Sequence, residues 1–226
     1  MLLFAQPLSY TVSWLGVPVV DVTLTKVESD TACRVEFRAR TRPWFDHLYS
    51  VDNRYCIWVE PGTGRPVRYE KQVLERGRAD HLWARYEQNP WRVVYGNGLE
   101  RPWQEDAHNL FSALIWAQRH EWQAGEDQVL LVEVEGAVWQ VIAECSELIP
   151  AEEPGGPITV IEARFERQEY GEPVLSTTDI LSFMLPGVGH RLKLGLDQER
   201  DQVKWAEFGS RPFMVRAELG SAPEHP

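Results

Sequence analysis

The chain is short of positive charge, of cysteine and of long apolar runs, and each shortage removes a class of function. Lysine and arginine number 23 against 34 aspartates and glutamates, a formal net charge of -11. That balance repels a phosphate backbone, so nucleic-acid binding is not expected. No stretch approaches the roughly 18 apolar residues that a membrane-crossing helix needs, so an integral membrane protein is not expected either. The three cysteines, Cys33, Cys56 and Cys145, form no Cys-x-x-Cys pair, which argues against a zinc site. For Cys33 and Cys56 two readings stay open: a cross-strand disulfide in an oxidising compartment, or buried thiols acting as small apolar residues.

Catalytic patterns are missing as well. The six histidines, His47, His81, His108, His120, His190 and His225, are scattered, and His108 and His120 are too far apart for the one-turn pairing of a helical metal site. Asp46-His47 and Asp80-His81 set an acid beside a base, but neighbours on a strand point to opposite faces. Gly209-Ser210-Arg211-Pro212 lacks the Gly-x-Ser-x-Gly elbow of a serine nucleophile. Glu133/Glu135 and Glu152/Glu153 are expected on a wet strand face and in a flexible loop, settings that would supply no burial to raise a pKa. No enzyme activity, cofactor or metal is therefore expected.

What is present is alternation. Leu8, Tyr10, Val12 and Trp14 share one face while Ser9, Thr11 and Ser13 share the other, and the pattern resumes in Val20, Val22 and Leu24 after Gly16-Val17-Pro18. Cys33, Val35, Phe37 and Ala39 alternate with Arg34, Glu36, Arg38 and Arg40. A period of two with one apolar side predicts antiparallel strands with one face on a core and one in water. Further strands are expected at Tyr49–Val59, Val67–Val73, His81–Tyr86, Arg92–Tyr95, Gln128–Glu135, Ala137–Cys145, Ile158–Gln168, Asp179–Met184, Arg191–Asp197, Gln202–Phe208 and Phe213–Leu219, with a short helical or irregular crossing at Asp46–Leu48. One segment differs: Leu110, Phe111, Leu114, Ile115 and Ala117 recur at helical spacing, predicting an amphipathic helix from Asp106, as N-cap, to about Arg119. Its apolar face needs cover, and a curved sheet supplies it. At 226 residues the chain reads as one β-rich domain over 8–219, with 1–7 a signal remnant or frayed start and 220–226 a disordered tail.

The opening strand ending Trp14-Leu15-Gly16-Val17-Pro18, the long meander, the helical segment Asp106-Ala107-His108-Asn109-Leu110-Phe111-Ser112-Ala113-Leu114 and the closing Phe208-Gly209-Ser210 hairpin resemble the bacterial domain of unknown function 3108 family. Ala107 and Asn109 stand where that family usually has proline and serine. The resemblance implies an exported, periplasmic envelope protein. It also implies a mainly β fold similar to the periplasmic lipoprotein carriers, a curved antiparallel sheet forming an open barrel or half-barrel around one helix.

On that frame the expected function is binding of a lipid, a lipoprotein or another hydrophobic envelope component between sheet and helix, with the helix as plug or lid. Among the ten tryptophans, most are expected to fill the core. The cleft candidates are Trp14, Tyr55 and Trp83 with Phe111 and Leu114 of the helix. The rival expectation is a structural or protein-interaction module of the envelope, with a filled core and an envelope protein as partner.

Overall fold

The computed structural model describes residues 3–4, 7–29, 33–150, 156–168, 174, 179, 191–209 and 214–220. The chain is mainly β, and it divides into two compact units, one taken from Met1–Glu105 and Ala217–Pro226 and the other from Asp106–Arg216.

The first unit contains β1 (Leu3–Phe4), β2 (Leu8–Trp14), β3 (Val17–Glu28), β4 (Cys33–Thr41), the helical turn α1 (Pro43–Asp46), β5 (Asp52–Val59), β6 (Pro66–Glu75), β7 (Arg78–Gln88), β8 (Trp91–Tyr95) and β9 (Glu100–Pro102). From β2 to β9 each strand pairs antiparallel with the next, the meander that alternation demands, and β1 lies against Val27 and Glu28 of β3. The register puts Val35, Tyr55, Ile57, Tyr69, Val73, Leu82, Ala84, Val93 and Tyr95 on one buried face. Arg34, Glu36, Arg54, Glu70 and Arg85 lie on the other, where their charges reach water. The break after β2 is a two-residue turn at Leu15-Gly16 rather than at Gly16-Val17-Pro18. Both turn residues hold positive φ (51° and 80°), which matches the twist of the flanking strands. The helical turn begins at Pro43, earlier than expected, because proline at the first helical position presets φ and sacrifices no hydrogen bond.

Burial also fixes the state of one phenol. Tyr10 is buried on β2, and desolvation pushes its pKa up to about 12. The folded state therefore holds this proton more tightly than the unfolded chain, so the stability it contributes is complete below about pH 10 and lost as pH rises toward 12. Tyr10→Phe is expected to flatten the fall in urea midpoint across that window, and parallel curves for the two proteins would contradict the assignment.

The second unit contains β10 (His108–Asn109), α2 (Leu110–Arg119), β11 (Asp127–Val134), β12 (Ala137–Ile149), β13 (Ile158–Arg167), β14 (Arg191–Asp197), a 3-10 turn (Gln198–Arg200) and β15 (Gln202–Phe208). β10 runs parallel to β11, and β11 to β15 pair antiparallel in turn. Glu133 and Glu135, expected on a wet strand face, are instead buried. Chain order then gives β16 (Val215–Leu219), and Gly220 N–H donates to the Ser9 carbonyl at 2.8 Å. The strand expected at 179–184, apart from Asp179, and most of the loop at 151–157 lie outside the described residues, as does the tail beyond Gly220.

Close packing across β14 and β15 depends on an absent side chain. Gly195 faces Trp205, whose indole occupies the place where a Cβ at 195 would stand. Gly195→Ala is therefore expected to destabilise the protein by about 2 kcal/mol through forced displacement of the ring. Urea denaturation checks this, and Gly195→Ala/Trp205→Leu is expected to recover part of the loss.

Candidate functional site

The amphipathic segment builds the site nearest to the expected one. The helix starts at Leu110 and not at Asp106, because Asn109 supplies the cap. Its Oδ1 accepts from Ser112 N–H at 2.8 Å, and Ser112 Oγ accepts from Asn109 N–H at 2.9 Å. This reciprocal pair satisfies two donors that a helix start otherwise leaves open. At the other end Trp122 Nε1 donates to the Ala117 carbonyl at 2.9 Å, and Gln198 Nε2 donates to the His120 carbonyl. The helix is thus held at both ends within its own unit.

Around most of its circumference α2 is apolar, Ser112, Gln118 and Arg119 being the exceptions. Phe111 and Ile115 lie a turn apart and are buried, while on the neighbouring stripe Ala117 is buried and Leu110, Ala113 and Leu114 are only half-buried. Just past the helix, His120 stacks on Trp116 (centroids 4.7 Å, 21° between planes) and meets Trp122 edge-on. Its Nε2 is 2.8 Å from Glu126 Oε1. Glu126 also accepts from Gln123 N–H and Gln128 Nε2, and the His120 bond first, then these two, hold its pKa down at about 2. A carboxyl held below its ordinary 4.5 binds fewer protons folded than unfolded, so stability is full above about pH 4.5 and is lost as pH falls toward 2. Glu126→Gln is expected to flatten that acid limb of a urea-midpoint profile; an unchanged limb would refute the coupling.

The five cleft candidates divide between the units. Phe111 is buried and Leu114 half-buried on α2. Trp14, at 37% exposure, meets Phe45 edge-on at 6.4 Å. Tyr55 and Trp83 lie on opposite faces of one sheet: Tyr55 aligns with Lys71 and Leu82, whereas Trp83 aligns with Glu70 and Cys56. One ligand cannot touch both rings from one side of that sheet.

Sequence reasoning missed a polar group on the buried face of the first unit. Asn53 and Lys71 are each 1% exposed. Asn53 Nδ2 donates to Glu75 Oε1 at 2.6 Å and to the Tyr55 hydroxyl at 3.1 Å, its Oδ1 accepts from Leu74 N–H, and the Tyr49 hydroxyl donates to Glu75 Oε2. The available signal was phase, since Asn53, Lys71 and Glu75 keep step with Tyr55 and Val73.

The opposite face carries a depression of about 140 Å³ lined by Arg34, Arg54, Cys56, Trp58, Glu70 and Gln72. Glu36 bridges Arg34 (2.6 Å) and Arg54 (2.8 Å), and these charge-assisted bonds, Arg54 foremost, lower its pKa. Trp58 has the Arg34 and Arg68 guanidinium groups within 5.5 Å and 5.1 Å of its ring centroid. Cys56 Sγ lies 3.6 Å from Arg34 Nη2, and burial raises its pKa. The disulfide left open above does not form. Cys56 aligns with Glu36 and Cys33 with Val59, which puts the two sulfurs on opposite faces.

Among the described residues no group of three histidine, cysteine or acidic side chains could hold a metal ion, and no helix is long and apolar enough to cross a membrane. The sequence profile described as "Protein of unknown function (DUF3108)" matches residues 9–168. No curated protein matches the chain. Among solved structures it is similar to the beta-barrel-like protein of domain of unknown function DUF1849 from Brucella abortus, with 8% identity over 95% of each chain and a TM-score of 0.61. That likeness is one of fold.

Proposed function

The chain belongs to the DUF3108 family of proteins of unknown function, and from that premise we propose that it is a non-enzymatic periplasmic protein that binds a lipid, a lipid-modified protein or another hydrophobic envelope component along α2. The observation that carries the reading is the half-buried stripe of Leu110, Ala113 and Leu114 on a helix whose adjacent stripe is already packed. Helices apolar on most sides are normally covered completely, and a mobile acyl chain is a fitting cover for a stripe left partly open. The β-barrel-like fold neighbour supports a scaffold of the carrier kind, by analogy of fold. A hydrolytic reading has poor footing: Ser112, although 3.3 Å from His108 Nδ1, is fully buried and committed to the helix cap.

The test is native and denaturing mass spectrometry on one sample of protein exported to the periplasm and purified gently. A mass excess lost on denaturation and extracted as lipid supports the proposal. Leu114→Asp is expected to abolish the excess while leaving the circular dichroism spectrum unchanged. Bare protein, before and after incubation with envelope lipid extract, overturns it in favour of a protein-interaction module.

A further inference from the structure

One end of the first unit gathers exposed apolar side chains that no buried contact explains. The β2–β3 turn presents Trp14 (37% exposed), Leu15 (63%) and Val17 (48%), and the α1 segment presents Trp44 (52%) and Leu48 (74%). The two are fastened together: Arg42 N–H donates to the Val19 carbonyl at 2.9 Å, Trp14 meets Phe45 edge-on, and Phe45 meets Trp44 at 5.4 Å. The β6–β7 turn adjoins them, with Arg76 N–H donating to the Ser50 carbonyl at 3.0 Å and the Arg76 guanidinium 5.7 Å from the Tyr49 ring centroid.

Charge at this end is mixed, with its exposed arginines on the β6–β7 turn. Arg42 is paired with Asp21 at 2.7 Å, while Asp46 keeps its negative charge and accepts from Thr41 Oγ1 at 2.8 Å. Arg76 and Arg78, both exposed, place positive charge beside the apolar patch of a chain whose formal net charge is -11. Two tryptophans, short aliphatic anchors and flanking arginines are the composition that settles at the water–hydrocarbon boundary. A partner protein would need no such basic flank, whereas an anionic headgroup layer does.

We propose that Trp14, Leu15, Val17, Trp44 and Leu48, flanked by Arg76 and Arg78, form a peripheral docking edge for an anionic lipid bilayer. The side chains enter the interface without spanning it, and the two arginines contact headgroup phosphates. The edge belongs to the first unit and α2 to the second, so docking at this edge does not rest on α2 carrying a ligand.

Flotation of the whole protein with phosphatidylethanolamine vesicles, with and without phosphatidylglycerol, tests the proposal. Wild type is expected to float with the mixed vesicles and less with the uncharged ones. Leu48→Asp should weaken partitioning at least tenfold. Arg76→Ala and Arg78→Ala should each weaken it about fivefold, the factor for about 1 kcal/mol per basic group near an anionic surface. Val129→Asp, at an exposed apolar residue of the second unit (61%), should leave it unchanged. All four sites are exposed, so the variants are expected to keep the wild-type melting temperature. Wild type that fails to float, flotation unaffected by Leu48→Asp, or equal loss with Val129→Asp each overturns the proposal. So does self-association abolished by Leu48→Asp without vesicle binding, which assigns the patch to a second copy of the chain.

Discussion

Asp197→Ala is expected to lower the unfolding free energy by about 3 kcal/mol. Asp197 is fully buried, and its carboxylate serves three donors: Arg200 N–H at 3.2 Å, Arg200 Nη1 at 3.3 Å and Lys204 Nζ at 3.1 Å. The first caps the 3-10 turn between β14 and β15, and the other two balance the buried charge. Alanine removes all three at once, leaving a backbone donor and a lysine that is only 25% exposed without their acceptor. Because both cations reach solvent, the loss sits at the low end for breaking a buried pair. Asp197→Asn keeps an acceptor for the backbone and is expected to lose about half as much. Equilibrium urea denaturation decides it, and an alanine variant within 1 kcal/mol of wild type would contradict the role assigned.

Asn53→Ala is expected to cost about 3 kcal/mol, because one buried amide connects Glu75, the Tyr55 hydroxyl and the Leu74 backbone. Alanine also leaves a cavity, so Asn53→Leu, which keeps the branching of asparagine at Cγ and fills the space with a somewhat larger apolar group, separates the two contributions. Leucine is expected to destabilise by a similar amount, since Glu75 and Leu74 N–H lose the same partners. A leucine variant as stable as wild type would mean that packing alone holds this position. Asn53 lies on the first unit's buried face, remote in sequence from Asp197, so the paired variant provides a check on additivity.

The strands were legible because each carried its own period-two record: Cys33 to Arg40 reads the same in sequence and in β4. The helix was legible in type and in its end at Arg119 but not in its start. Asp106 and Asn109 are both competent caps, and the choice fell to Asn109, whose partner Ser112 completes the reciprocal pair. The very short β9 and β10 were invisible, because two or three residues cannot display a period. Of the cleft candidates, Tyr55 and Trp83 could not be sorted to opposite faces before the pairing of β5, β6 and β7 was known.

Sequence by itself determined the mainly β class, the presence and type of the helix α2 and the period-two alternation of the strands, since these follow from local sterics and the spacing of apolar side chains. Tertiary structure alone decided what depends on register: that Cys33 and Cys56 face apart, that Asn53 meets Glu75, that Gly195 must admit Trp205, and that Trp14 and Trp44 share an exposed edge. Such pairings join residues far apart along the chain. A shift of one residue in any strand would exchange its faces, and no local pattern records which neighbour a strand will find.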